Sequence, residues 1–149
     1  MILYIREFAE SKKEIERELS AVTTPIIRHL FKLYCLPNHR SRNHWIAEIA
    51  NFLSSVKRLS GKNKFPNRNQ IMDWTYYKWE DLLTDTEFMK REIDTIEFKY
   101  GVIIDKSIDD VCETFNALCY DYFLWVANEL SQYGNIGHGS IYNKLNELF

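Results

Sequence analysis

SIDDVCETFNALCYDYFLWVANELSQYG, residues Ser107 to Gly134, decides the class of fold. Val111, Phe115, Leu118, Cys119, Tyr122, Phe123, Val126 and Leu130 recur at steps of about three and four residues, which lays them on one broad helical face. Ser107 and Asp110 have the spacing of a capping box, with Asp in place of the usual Glu. Gly134 follows the last periodic position, where a glycine can adopt the left-handed conformation that ends a helix. A helix running to Tyr133 is therefore expected. Its apolar face requires other elements to cover it.

Those elements read as helices as well. Downstream, a glycine-bearing loop to Gly139 leads to Ser140, the expected cap of a short last helix, Ile141 to Leu148. Upstream, Ile71, Trp74, Trp79, Leu82, Leu83, Phe88, Ile93, Ile96 and Phe98 supply the apolar content of a long helix from Gln70 to Tyr100. A bend is allowed near Thr84–Thr86, and Gly101 is the expected stop. Val102-Ile103-Ile104 could form a short extended stretch, but a lone strand has no partner. Trp45, Ile49, Phe52, Leu53, Val56 and Leu59 form the stripe of a helix from Arg42 to Ser60, with Ser41 as its cap and Gly61 as its stop. A basic loop spans Gly61 to Asn69.

Leu3 to Ala21 reads as a first amphipathic helix. Thr24-Pro25 resembles an N-cap with Pro at the first helical position. This opens a second helix, or a kinked continuation, from Pro25 to Leu36. Its Ile26, Ile27, Leu30, Phe31, Leu33 and Tyr34 cover most of the circumference, so a central position is expected. With only five Gly and three Pro in 149 residues, the expectation is an all-α, five- to six-helix bundle forming a single domain over residues 1–149.

Composition narrows the setting. The N-terminal residues do not have the pattern of a secretory signal, and no apolar run reaches the roughly 18 residues of a membrane span. The three cysteines, Cys35, Cys112 and Cys119, are an odd set in a chain of this size and read as reduced thiols. A cytoplasmic protein of bacterial or phage origin is expected, with no membrane association.

Charge is unevenly spread. Arg28, Lys32, Arg40, Arg42, Lys57, Arg58, Lys62, Lys64 and Arg68 face a single acid, Glu48, within residues 28–68. His29, His39 and His44 lie in the same window. From residue 69 onward, six basic residues stand against fifteen acids, so the net charge of −2 conceals a large separation. Either the two halves neutralise each other within the bundle, or the nine basic residues form a patch for phosphates or an acidic partner. The leading expectation is a non-enzymatic interaction protein that binds nucleic acid or an acidic protein through that patch and nearby aromatics (Tyr34, Trp45, Phe65). Trp45 shares a stripe with Phe52 and is expected in the core. Self-association through the aromatic-rich acidic helices is a further alternative, giving a homo-oligomer.

Chemistry-bearing groups are few. His39, Arg40, Arg42 and His44 could supply a general base and phosphate clamps, which gives an alternative reading as an RNase-like toxin or phage-defence effector. Small helical ribonucleases carry an Arg followed after four to six residues by a His. Arg40 and His44 are separated by three, a difference that rotates a pair by about 100° on a helix. Cys35, His39 and His44 form an alternative zinc set, but a fourth ligand at standard spacing is missing. No metal and no cofactor are expected. Cys112 and Cys119 read as buried apolar residues. Gly134-Asn135-Ile136-Gly137-His138-Gly139 follows no strand, so it reads as a helix connection and not as a phosphate cradle. The acidic helices lack the Glu-x-x-His pattern of a di-iron bundle.

Residues 26–53 resemble an uncharacterised bacterial family, domain of unknown function family twenty-nine. The resemblance is carried by His29-Leu30-Phe31-Lys32-Leu33, Pro37, Arg40-Ser41-Arg42, Trp45 and Ile49. The His-to-Pro and Trp-to-Ile spacings agree with the family pattern; Pro to Trp is one residue longer, and Leu33 stands where the family has an aromatic. The resemblance implies a small helical fold and no particular activity.

Overall fold

The computed structural model describes residue 17 and residues 21–55, 80–133 and 136–149. Among them are six helical segments and no strand: α1 (residues 21–35), α2 (Arg42–Ser55), α3 (80–84), α4 (Thr86–Tyr100), α5 (Ile108–Tyr133) and α6 (His138–Leu148). The all-α bundle expected from periodicity is what the chain forms. Among the described residues, no helix is long and apolar enough to cross a membrane.

The α5 helix is the spine. Val111, Phe115, Cys119, Tyr122, Phe123, Val126 and Ala127 are buried along it. It packs on α4 and α6, while α6 packs on α2. The α1 helix reaches α5 through aromatic contacts, Phe31 on Phe115 at 5.0 Å and Tyr34 on Phe115 at 5.6 Å between ring centroids. Ile26, Ile27, Leu30, Phe31 and Leu33 of α1 are all buried in the one continuous core, in keeping with the central position that its apolar circumference implies.

Local signals explain most helix ends. The Ser107 hydroxyl accepts a hydrogen bond from the Asp110 N–H at 3.2 Å, the N-cap half of the expected box. Gly101 adopts φ 64°, and its N–H donates to the Glu97 carbonyl at 3.0 Å. Such a left-handed residue is cheap only for glycine. The bend near residue 85 is a full break: the Asp85 carboxylate accepts from the N–H groups of Glu87 and Phe88 at 3.1 and 3.2 Å, capping α4. Val102-Ile103-Ile104 is irregular chain, tied down where the Ile104 N–H donates to the Glu97 carboxylate at 3.0 Å.

Two boundaries differ from the sequence expectation. Residues 21–24 are already helical, so Thr24 is no cap and Pro25 lies within α1. A proline there forfeits a backbone hydrogen bond, but the buried residues that follow hold the helix on course. Ser140 likewise lies inside α6, which starts at His138 with Gly137 as its N-cap and no side-chain cap bond. Ile136 already packs against the core, so the chain turns into the helix as soon as that residue is seated. The expected helix over Leu3–Ala21 falls outside the described residues except at Arg17 and Ala21. So do the Gly61 and Gly134 stops, the 61–69 loop, and the part of the Gln70–Tyr100 helix before residue 80.

Candidate functional site

The turn between α1 and α2 is built from the run Pro37-Asn38-His39-Arg40-Ser41. The His39 N–H donates to the Leu36 carbonyl at 3.2 Å and the Arg42 N–H to the His39 carbonyl at 3.1 Å, closing the turn. The Ser41 N–H donates to His39 Nδ1 at 3.0 Å. That contact makes Nδ1 the acceptor and leaves a proton on Nε2. The His39 ring stacks on Trp45 at 5.0 Å, and Tyr100 of α4 stands edge-on to both, at 5.2 and 5.8 Å. Trp45 is 4% exposed, which confirms its place in the core and rules out base stacking on its face. The three rings lock the α1–α2 turn, α2 and α4 together.

Over this aromatic floor lies a cleft of about 570 Å³, lined by Lys32, His39, Arg40, Ser41, His44, Trp45, Glu48, Lys99 and Tyr100. Lys32 Nζ sits 5.9 Å from the Trp45 ring centroid and Lys99 Nζ 5.5 Å from that of Tyr100. Burial, together with the neighbouring Lys99, lowers the Lys32 pKa below the ordinary lysine value, against the opposing pull of Glu48 and Glu92. Glu48 is the only acid among the lining residues.

Glu48 is also engaged. One carboxylate oxygen meets His29 Nε2, and the other meets His44 Nε2 at 2.8 Å. His29 Nδ1 faces the Pro25 carbonyl at 2.8 Å. A carbonyl only accepts, so Nδ1 carries a proton, and Nε2 faces the Glu48 carboxylate. Burial pushes the Glu48 carboxyl up, but the His29 hydrogen bond and the charges of His29, His44 and Lys32 together hold it below the ordinary value. A carboxyl with a depressed folded-state pKa stabilises the fold above its unfolded pKa, about 4.3, and loses that contribution as pH falls through the folded value. Glu48→Gln is therefore expected to lower the urea midpoint at pH 6 and to approach wild type as pH falls below about 4. A deficit that stayed constant down to pH 3 would remove the linkage.

The nine basic residues nominated from sequence separate by their partners. Arg28 pairs with Glu92 of α4 at 3.1 Å and lies 5.8 Å over the Phe88 ring. Arg42 donates to the Asn146 side-chain oxygen at 2.9 and 3.2 Å, to the Pro37 carbonyl at 3.1 Å and to the Phe149 backbone oxygen at 3.4 Å, tying the turn to α6. A second hollow of about 420 Å³ opens beside it and shares His39 and Arg40 with the main cleft. Lys32 and Arg40 line the main cleft. Lys57, Arg58, Lys62, Lys64 and Arg68 lie outside the described residues, as does Phe65.

The 100° rotation expected to separate Arg40 from His44 does not apply. Arg40 belongs to the turn and not to α2, so both residues line the same cleft. Lys99, His29 and Glu48 carried no role in the sequence reading. The His44–Glu48 spacing of four on a helix was a usable signal; nothing local marks Lys99.

Among the described residues, no group of three or more His, Cys, Asp or Glu could hold a metal, the Cys35, His39 and His44 set included. All three cysteines are free thiols. Burial raises the Cys35 thiol to about 12 despite Lys106, raises the fully buried Cys119 well above its ordinary value, and with Asp109 raises Cys112. No family model, curated protein or solved structure matches this chain, so the resemblance of residues 26–53 rests on the residues quoted for it.

Proposed function

We propose that the protein binds single-stranded nucleic acid by its phosphates in the cleft between α1, α2 and α4. The observation that supports this most is the convergence of Lys32, Arg40 and Lys99 with His39 and His44 on one hollow, whose single carboxylate is occupied by two histidines. Three cations outnumber the one carboxylate of the lining, an excess that suits an anion, and a phosphodiester backbone offers anions at regular spacing. His39 Nε2–H adds a neutral donor. Among the described residues, the part of the basic segment that supports this reading is the turn with its α1 and α2 flanks, and Lys99 comes from the acidic half. The exposed Phe98 and Ile103, 94% and 86% accessible, favour self-association of the acidic helices as a second reading.

Fluorescence anisotropy with a labelled mixed-sequence RNA 20-mer tests the binding. Three phosphate contacts give a log–log salt slope of about −2, or a loss of affinity of roughly sixteenfold between 50 and 200 mM salt. Arg40→Glu with Lys99→Glu should abolish binding, whereas Lys144→Glu on α6 should leave it unchanged. Equal or tighter binding of a polyglutamate peptide would replace nucleic acid with an acidic protein partner. Absence of binding at low salt would remove the reading.

A further inference from the structure

The cleft holds more than a cation cluster requires. A phosphate-binding surface has no use for a carboxylate facing its ligand, yet Glu48 lines the cleft. Its two oxygens are divided between two imidazoles, and this arrangement constrains where protons sit. His29 is anchored through Nδ1 on the Pro25 carbonyl and through Nε2 on one Glu48 oxygen. That fixes the carboxylate, whose second oxygen lies 2.8 Å from His44 Nε2. With Nε2 turned to the carboxylate, Nδ1 is the His44 nitrogen left for a ligand. A carboxylate this close to an imidazole stabilises the imidazolium that forms when a general-base histidine takes up a proton. His44 is 69% exposed in its side chain, so Nδ1 is open to a ligand.

We propose that the cleft cleaves RNA by transphosphorylation, with His44 as the general base, Glu48 and His29 as positioning residues, Arg40 and Lys99 as phosphate clamps and Lys32 as the acid. This rests on the nucleic-acid reading above. His44 Nδ1 takes the proton of a ribose 2′-hydroxyl. The freed electron pair of the 2′-oxygen forms the new O–P bond at the adjacent phosphorus. The P–O5′ bond breaks, and its electron pair leaves on the 5′-oxygen, which takes a proton from the Lys32 ammonium. The products are a 2′,3′-cyclic phosphate and a 5′-hydroxyl end. His44 has gained one proton and Lys32 has lost one, and exchange with water restores both. Burial and Lys99 already loosen the Lys32 proton, which suits an acid that must part with it. Arg40 and Lys99 are placed to offset the charge that builds on the phosphoryl oxygens.

The test is single-turnover cleavage of the labelled RNA 20-mer by the full chain, with anisotropy run in parallel on the same oligonucleotide and on its all-2′-deoxy counterpart. Wild type should bind both and cut only the RNA, leaving a cyclic phosphate identifiable by mass. At saturating enzyme, His44→Ala should cut at least about a hundredfold more slowly than wild type, the usual contribution of a general base, and added imidazole should restore part of the rate. Glu48→Gln should lose rate at saturating enzyme, and Glu48→Asp should recover some of it. Circular dichroism checks that each variant is folded. Binding without cleavage by wild type would overturn the catalytic proposal and leave the binding reading standing; failure of both would remove both. Cleavage unchanged in His44→Ala, or of the deoxy strand at a similar rate, would also overturn it.

Discussion

Phe115→Ala is expected to lower folding stability by about 3–5 kcal/mol, the range for removing a buried phenyl ring from a core. Phe115 is completely buried on α5 and lies against Phe31 and Tyr34 of α1, at 5.0 and 5.6 Å. The mutation removes the ring's transfer free energy and also its edge-to-face contacts, and the rings on α1 can follow only partly into the space left. Folding stabilities of domains this size are about 5–15 kcal/mol, so a third or more of the total is at stake. The melting temperature should fall by roughly 10 °C. Urea denaturation followed at 222 nm measures it. Glu113→Ala, at an exposed position on the same helix, should stay within about 0.5 kcal/mol of wild type. A loss below 1 kcal/mol for Phe115→Ala would mean that α1 does not pack on α5 as described.

The same packing explains which features were readable from sequence. Ile108–Tyr133 could be read because its cap, its period and its apolar face are all encoded within the helix itself. Pro25 misled for the opposite reason: a locally unfavourable residue lies inside a helix whose buried side is settled by contacts with distant residues. Ser140 misled in the same way, since the seating of Ile136 moved the start of α6.

The site was half legible. His39, Arg40 and His44 fall within six consecutive positions, and the turn gathers them. Arg28 and Arg42 look like Arg40 in a charge count, but Glu92 and Asn146 engage them, and both partners come from the other half of the chain. Lys99 enters the cleft from that acidic half as well. The charge separation therefore resolves both ways: part of it neutralises within the bundle, as the Arg28–Glu92 pair does, and part leaves a cationic hollow. Glu48 shows why a net count is a poor guide. It was the single acid in a +8 segment, and its oxygens lie against His29 and His44 while its charge also acts on Lys32.

Tyr122→Phe is expected to raise stability, by about 1–2 kcal/mol. The Tyr122 ring lies wholly inside α5's buried face, 5.4 Å from Phe123 and 6.2 Å from Trp125 between centroids. Among the described residues, neither its hydroxyl nor that of Tyr34 has a hydrogen-bonding partner. Burial, and after it Cys119, pushes the phenol's pKa well above its ordinary value, so the group stays neutral and its cost is that of an unmet donor and acceptor. Leaving such a group unsatisfied costs about 1–3 kcal/mol. Replacing it by hydrogen removes that cost and leaves a gap smaller than a methyl group, worth under about 1 kcal/mol in lost contacts. The gain should appear as a higher urea midpoint with an unchanged slope, since the surface exposed on unfolding is nearly the same. Tyr34 provides the comparison: its hydroxyl is also unpaired, but the ring is half-buried and Lys106 Nζ lies 5.3 Å over it. Tyr34→Phe should therefore gain less than Tyr122→Phe. A destabilised Tyr122→Phe would show that the hydroxyl is satisfied, and the polar atom at the centre of the α5 face would then be a stabilising feature of this core.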